Sequence, residues 1–219
     1  GGYEQAIVGP DLAGRLQIGA PAQIGIIDAV ETRLDQFFLQ PAQRMLDRIT
    51  ASRQAALFKD LSIVEYDSSL ASTFAEISRE WVEEMFRLEA EDIAMIENPR
   101  AKVIDKGGTI LFVEDPELGI IGTCALMPMA DGSVELTKMG VLASARGRRA
   151  GDFLMRQILK RARQMEIQDL FLLTNSKCAS AIRLYEKYGF RHDDDIMRRY
   201  GHRYERCNVT MSYAMPARS

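Results

Sequence analysis

The sequence predicts an α/β protein in which a mixed sheet with helices on both faces follows an N-terminal helical extension. Three observations predict this class. From about residue 60, strand-like and helix-like patterns alternate along the chain. Residues 169–174 contain the unbroken apolar run of a strand buried on both faces. Residues 1–59 show helical periodicity and little else, so we expect an extension at 1–59 and a domain at 60–219.

The extension should contain two amphipathic helices. In the first, apolar residues recur at steps of three and four: Ile27, Val30, Leu34, Phe37 and Phe38. The second helix can begin at Pro41. Its apolar residues lie on one side: Met45, Leu46, Ile49, Ala56 and Leu57. Two such helices cannot bury their own apolar faces, so they must cover the domain or pair with another chain. Pairing with a second copy of this chain, as a homodimer, is one of these alternatives.

The domain should follow the order β-α-α-β-β-β-α-β-α-β-β. The predicted strands are 61–66, 109–113, 120–127, 134–141, 169–174, 190–191 and 208–213. The predicted helices are 67–86, 89–96, 151–165 and a last one from 179 to Gly189. Turn residues at 115–119 and 131–132 predict two hairpins. Strand 134–141, helix 151–165 and strand 170–174 then form one right-handed βαβ unit.

Composition excludes several classes of protein. The chain has 219 residues, of which 47% are hydrophobic, enough for a packed core. With 28 basic and 31 acidic residues the net charge is −3, which argues against a chain-wide nucleic-acid surface. No apolar run approaches the roughly 18 residues of a membrane span, and we expect no signal peptide.

The cysteines point to a reducing compartment. Three widely spaced cysteines, Cys124, Cys178 and Cys207, do not make a disulfide framework. They contain no Cys-x-x-Cys pair, and the chain has only two histidines, so we expect no metal site. A cytoplasmic location fits this pattern.

The segment 141–152 is the one most suggestive of chemistry. It leaves a strand, passes Arg146, Arg148 and Arg149, and enters a helix. Such a turn points several backbone N–H groups at one spot, where the helix N-terminus adds partial positive charge. The product would be a phosphate or pyrophosphate cradle, although the Walker and Rossmann glycine patterns are both absent. The alternative is a solvated surface loop.

Two motifs resemble those of the GNAT superfamily of N-acetyltransferases. Residues 146–151 match that family's Arg/Gln-x-x-Gly-x-Gly/Ala loop at Arg146 and Gly151. Residues 181–190, Ala-Ile-Arg-Leu-Tyr-Glu-Lys-Tyr-Gly-Phe, match its late-helix signature. The likeness covers about residues 60–215. It implies a mainly antiparallel twisted sheet in which a central parallel pair of strands splays apart, and acetyl-CoA as cosubstrate.

The resemblance also implies a set of cofactor-binding residues. The backbone of Met139, Gly140 and Val141 would pair with pantetheine as an added strand would. The pyrophosphate would lie on the loop residues Arg146, Gly147, Arg148, Arg149, Ala150, Gly151 and Asp152, and Asn175 would also contact the cofactor. Two positions depart from the family: Arg149 replaces the first loop glycine, and Cys178 stands where many relatives have Asn.

Two residues are predicted to be catalytic. Tyr185 would donate a proton to the leaving sulfur, because an unperturbed phenol stays protonated at neutral pH. The alternative is a core tyrosine. Glu135 would be the general base, and alternation places it on the face of Thr137 and Met139. The alternative is a salt bridge with Lys138 or a nearby arginine.

The predicted function is transfer of an acetyl group from acetyl-CoA to a primary amine, small molecule or peptide, by direct attack in a ternary complex. A non-catalytic acyl-CoA sensor or partner-binding module is the main alternative. An acyltransferase for longer chains or hydroxyl acceptors is a third. The acceptor pocket would lie under the helices that carry Trp81, Glu83, Glu84, Phe86 and Glu91. Residues 193–195 and His202 are candidates for its rim.

Overall fold

The computed structural model describes residues 39–58 and 60–215, in two compact units divided between Leu57 and Phe58. The first predicted helix, around 27–38, lies outside the described residues. The described part of the first unit is helix α1 (Gln40–Leu57), which carries Pro41 in its first turn. Its apolar side chains Met45, Leu46 and Ile49 are exposed. No helix among the described residues is long and apolar enough to cross a membrane.

The second unit is built on one seven-stranded sheet. Its strands are β1 (Ser62–Glu65), β2 (Thr109–Asp115), β3 (Gly119–Pro128), β4 (Val134–Val141), β5 (Asp169–Thr174), β6 (Arg191–His192) and β7 (Val209–Ala214). Their order in the sheet is β1-β2-β3-β4-β5-β7-β6, and β4 and β5 form its parallel pair. The predicted mixed, mainly antiparallel sheet is therefore confirmed.

The helices of this unit come close to the predicted ranges. They are α2 (Ala71–Met85), α3 (Ala90–Glu97), α4 (Pro99–Lys102), α5 (Ala150–Gln164), α6 (Ala179–Lys187) and α7 (Asp194–Tyr200). Before α2, the Asp67 side chain accepts a hydrogen bond from the Ser69 N–H and caps a 3₁₀ turn at Ser68–Leu70. The sequence did not predict α4 or α7.

Helix α7 corrects the prediction for residues 193–195. The Asp193 carboxylate accepts hydrogen bonds from the Asp195 and Ile196 N–H groups at 2.9 and 3.4 Å and so caps α7. A helix of this length buries little, and Ile196 is its one fully buried residue. The apolar pattern of α7 is therefore too short to predict a helix from the sequence. The three aspartates belong to the start of this helix and do not line a pocket.

Two apolar cores lie on the two sides of the sheet. On the α5 side, Leu154, Ile158 and Ala162 are fully buried, as the helical pattern predicted, and Met165 packs at the margin. On the α2 side, Phe74 packs with Phe112 and other apolar residues of β2 and β3. Both faces of the central strands are thus covered, and both contribute to the site described below.

The parallel pair β4 and β5 separates after one short contact. Only Val134 and Glu135 pair with β5, opposite Leu170 and Phe171. Beyond Glu135 the two strands share no register, which leaves a slot between them. This is the splayed arrangement that the resemblance implied.

A β-bulge in β4 corrects the predicted facing of Met139. Thr137 pairs with Ala125 and Gly140 with Thr123, so Lys138 and Met139 together oppose one residue of β3. Lys138 has φ 50°. The extra residue shifts the alternation, and Met139 packs against the α5-side core. Glu135 instead reaches Arg203 on the α2 side, so these two side chains do not share a face.

Candidate active site

A cleft of about 550 Å³ opens where β4 and β5 diverge. Its walls are the two strands, the loop between β4 and α5, the start of α6, the end of α2 and the segment before β7. Met139, Gly140 and Val141, the residues predicted to pair with pantetheine, all line it. Because β4 pairs with β3 along its other edge, the edge that faces the cleft is free to pair with an added strand.

Gly140 lets an aromatic side chain approach this strand closely. A Cβ atom at Gly140 would lie 2.4 Å from Cδ1 of Trp81. No side chain larger than hydrogen fits there while the indole keeps its place. Trp81 is half-buried and lines the cleft.

The loop between β4 and α5 presents unpaired backbone N–H groups. Among the described residues no acceptor faces the N–H groups of Gly147, Arg149, Ala150, Gly151 and Asp152. Three other loop amides bond within the loop, as in the 3.3 Å bond from the Arg148 N–H to the Ala145 carbonyl, and the Ala143 N–H donates to the Glu80 carboxylate at 2.7 Å. Four of the five free N–H groups lie at the cap and first turn of α5, where the helix dipole favours an anion. The arrangement can therefore hold a phosphate group.

Arg149 keeps the backbone conformation that a glycine would adopt. Its φ is 61° and its ψ 16°, in the left-handed region, directly before the first residue of α5. Gly147, with φ 87°, supplies the second such turn of the loop. A left-handed non-glycine residue is strained by about 1 kcal/mol. The departure from the family motif thus changes the side chain and not the path of the backbone.

The three arginines of this loop have different environments. Arg146 forms an ion pair with Glu84 of α2, which holds the pKa of the Glu84 carboxyl below its usual value. Arg148 turns to the β2–β3 hairpin, where it pairs with Asp115 at 2.8 Å and Glu117 at 3.1 Å. Arg149 lines the cleft and has no carboxylate partner among the described residues. One guanidinium group is therefore free for a ligand.

The Asp152 side chain points away from the cleft. Its carboxylate pairs with Lys187 at 2.5 Å and accepts a hydrogen bond from the Tyr188 hydroxyl at 2.7 Å, both on the α6 side. Burial disfavours its charge, but these partners outweigh burial and lower the pKa of the Asp152 carboxyl. The side chains of Asp152 and Arg148 are both occupied by protein partners. A cofactor could therefore bind only the backbone groups of these two residues in this arrangement.

Tyr185 is a buried residue that also lines the cleft. It is 8% exposed on α6, and its ring contacts Phe190 with centroids 5.9 Å apart. Its hydroxyl group makes no hydrogen bond to the described residues. Burial, and then the neighbouring thiols of Cys178 and Cys124, raise the pKa of Tyr185 well above its usual value. The phenol is therefore fully protonated at neutral pH.

Asn175 and Cys178 shape the start of α6. The Asn175 amide donates to the Arg206 carbonyl at 2.5 Å, and its oxygen accepts from the Lys177 N–H at 2.9 Å. It lines the cleft but joins two loops of the protein. Cys178 is buried, lines the same wall and is the cap residue of α6.

Glu135 is 1% exposed and takes part in an ion pair. Its carboxylate binds Arg203, which also pairs with Glu91 of α3 at 2.6 Å. The alternative from the sequence, a salt bridge, is therefore present with an arginine and not with Lys138. Glu135 still lines the cleft, beside Thr137.

Sequence reasoning missed a buried ionic network next to Glu135. Lys138, at 3% exposure, binds Asp92 of α3, and Arg206 binds both Asp92 at 2.6 Å and Glu89 at 2.8 Å. Burial opposes the charge of Asp92, but the hydrogen bonds from Arg206 and Lys138 outweigh it and lower the pKa of that carboxyl. The sequence signal was the capping box in which Glu89 and Asp92 begin α3.

The α2 side of the cleft is rich in aromatic residues. Tyr204, at 5% exposure, lies against Arg206, whose guanidinium carbon is 4.6 Å from the ring centroid. The Tyr204 hydroxyl and the Trp81 indole N–H have no hydrogen-bond partner among the described residues. Phe86 completes this wall, whereas the predicted rim residue His202 is exposed and does not line the cleft. The described residues contain no cluster of three potential metal ligands.

The family comparison agrees with this geometry. Residues 106–192 match the family model described as the acetyltransferase (GNAT) domain. That stretch contains both diverging strands, the anion-binding loop and Tyr185. This part of the chain is therefore similar to GNAT domains, and the resemblance seen in the sequence motifs is confirmed.

Solved structures show the same fold. A GNAT-family acetyltransferase from Staphylococcus aureus Mu50 is 21% identical, with a TM-score of 0.64 over 71% of this chain and 99% of that chain. The PaiA N-acetyltransferase from Thermoplasma acidophilum, solved with coenzyme A, is 16% identical, with a TM-score of 0.53 over 71% and 99%. A ribosomal-protein-alanine N-acetyltransferase from Brucella melitensis is 19% identical, with a TM-score of 0.56 over 70% and 99%. The search of curated proteins returned no match.

Proposed function

We propose that this protein transfers an acetyl group from acetyl-CoA to a primary amine within a ternary complex. The slot between β4 and β5 is the observation that carries the proposal, because it joins a free strand edge, an anion-binding loop and a protonated phenol in one cleft. The GNAT domain match and the coenzyme A complex of the PaiA relative support acyl-CoA as the donor.

Each part of the cleft would have a separate task. The free amides of the loop at 147–152 and the Arg149 guanidinium would bind the pyrophosphate. The free edge of β4 would pair with pantetheine, and one of its N–H groups would polarise the thioester carbonyl. The amine nitrogen would attack that carbonyl, the C–S bond would break, and the Tyr185 hydroxyl would protonate the leaving sulfur.

Glu135 is the proposed acceptor of the proton that the amine loses, directly or through water. Its carboxylate belongs to the cleft wall, where Arg203 binds it. If Glu135 has this role, Glu135→Gln should remove the acidic limb of the pH profile of kcat/KM while coenzyme A still binds. An unchanged pH profile would assign proton uptake to solvent and leave Glu135 as a partner of Arg203.

The activity is tested by thiol release from acetyl-CoA with a panel of primary amines. Binding is measured separately by thermal melting, since a ligand present at 100 times its Kd adds about 2.7 kcal/mol to the free energy of unfolding. A melting shift with coenzyme A and amine-dependent thiol release are expected. A shift without release would favour the non-catalytic acyl-CoA-binding module, and no shift at millimolar coenzyme A would reject both.

A further inference from the structure

The slot separates two sides of the sheet, and one of them is left for the acceptor. Tyr185 and Met139 belong to the core on the α5 side, next to the anion-binding loop. Trp81, Met85 and Phe86, at the end of α2, line the cleft from the opposite side. A donor laid along β4 from the loop therefore leaves the α2 side as the approach for the amine.

Every charge on the inner wall of that side already has a partner. Glu135 is paired with Arg203, and Lys138 with Asp92. Arg206, the remaining charged residue of this wall, is held by Asp92 and Glu89. Glu135, Lys138 and Asp92 are buried and their arginine partners are half-buried, so withdrawing one partner to serve a ligand would leave a poorly compensated charge away from water. An acceptor carboxylate or a second ammonium group therefore finds no free counter-charge among the described residues of this wall.

Apolar and aromatic surface is what remains for binding. Met85 is 39% exposed, and Phe86 and Trp81 are half-buried beside it. The Tyr204 hydroxyl and the Trp81 N–H are the fully buried polar groups of this wall that have no hydrogen-bond partner among the described residues. The Tyr204 hydroxyl can accept a hydrogen bond from an amine, the Trp81 N–H can only donate to a neutral polar group, and neither carries charge. We infer that the acceptor is a primary monoamine on an uncharged, apolar or aromatic body, a conclusion that rests on the proposed transferase activity.

Lys177 is the cation that could oppose this conclusion. It lies at the mouth of the cleft, exposed, with its Nζ 5.8 Å from the Phe86 ring centroid. No ion pair joins it to a described carboxylate. An exposed ammonium group in water attracts a carboxylate only weakly, so Lys177 does not offset the apolar wall. The alternative is an amino-acid acceptor whose carboxylate binds Lys177 at the mouth of the cleft.

The test compares three probe amines with the whole 219-residue chain and acetyl-CoA. 2-Phenylethylamine carries one amine on an aromatic body, L-phenylalanine adds a carboxylate, and 1,4-diaminobutane replaces the ring by a second amine. Thiol release should give 2-phenylethylamine a kcat/KM roughly tenfold or more above each of the others. A preference for L-phenylalanine or 1,4-diaminobutane would overturn the inferred acceptor class while leaving the transferase activity established.

Two variants connect the preference to the wall. Phe86→Ala should lower kcat/KM for 2-phenylethylamine roughly tenfold, with the Kd for coenzyme A unchanged. Arg87→Ala, at the exposed neighbouring position, is the matched control and should change neither value. If Phe86→Ala leaves kcat/KM at the wild-type value, or if coenzyme A binds and none of the three amines reacts, the inference is wrong. If coenzyme A itself does not bind, the proposed function fails first.

Discussion

At the level of single residues, Tyr185 is expected to act in chemistry and not in cofactor binding. Tyr185 lines the cleft, its hydroxyl has no hydrogen-bond partner among the described residues, and burial raises its pKa, so the phenol holds a proton at neutral pH. Tyr185→Phe should lower kcat by about 10²- to 10⁴-fold while the Kd for coenzyme A changes little. Steady-state kinetics and calorimetry measure the two values. Tyr188→Phe, whose hydroxyl binds Asp152 outside the cleft, should retain kcat.

Glu84 is expected to compete with the cofactor for Arg146. The two side chains form an ion pair across the loop, and a pyrophosphate would have to share or displace the carboxylate. Glu84→Gln should therefore tighten coenzyme A binding, by roughly two- to fivefold because the pair is exposed. Calorimetry at low salt is the measurement. Glu83→Gln, the exposed neighbour, is the control, and weaker binding by Glu84→Gln would show that the pair supports the loop.

At the level of elements, the alternating and apolar patterns were enough to predict both strands of the slot. Val134–Val141 and Asp169–Thr174 have the predicted bounds, because hairpin turns, alternation and an apolar run mark them locally. The bulge at Lys138 could not be predicted, since a period of two does not show where one extra residue enters. The ion pair between Lys138 and Asp92 could not be predicted either, because the two residues are 46 positions apart in the sequence and meet only in the folded protein.

The sequence likewise predicted one part of the site and not the other. The loop amides and Tyr185 follow from local motifs, and the structure brings them to one cleft. The wall for the acceptor does not follow, because Tyr204 and Arg206 come from the segment before β7 and meet α2 and α3 only in the tertiary structure. Helix and strand periodicity carries no information about such pairs. This explains why the sequence left the acceptor open.

The ion pair of Lys138 should stabilise the bulged strand. Lys138 is 3% exposed and binds Asp92, which is fully buried. Lys138→Met should lower the free energy of unfolding by about 3 kcal/mol, the low end for breaking a buried pair, because Arg206 still holds Asp92. Urea unfolding measures the loss. Lys160→Met, at an exposed position on α5, should change it by no more than about 0.5 kcal/mol, and equal effects of the two substitutions would contradict this role.

At the level of the whole molecule, the buried network predicts how stability depends on pH. Hydrogen bonds from Arg206 and Lys138 outweigh burial and hold the pKa of Asp92 below the value of about 3.9 expected in the unfolded chain. A carboxyl of this kind contributes stability above the unfolded pKa, and the contribution is lost as pH falls through the folded pKa, because the unfolded state binds the proton first.

Urea unfolding between pH 6 and pH 2 tests this linkage. Wild-type stability should fall steeply once the pH drops below about 4, the range in which free carboxylates take up protons. Asp92→Asn should be less stable at pH 6, because it leaves Lys138 and Arg206 without their shared counter-charge. Its stability should fall less steeply with acid, since one proton-binding difference between the two states is gone. Parallel slopes for the two proteins would show that Asp92 is not a group whose protonation destabilises the fold.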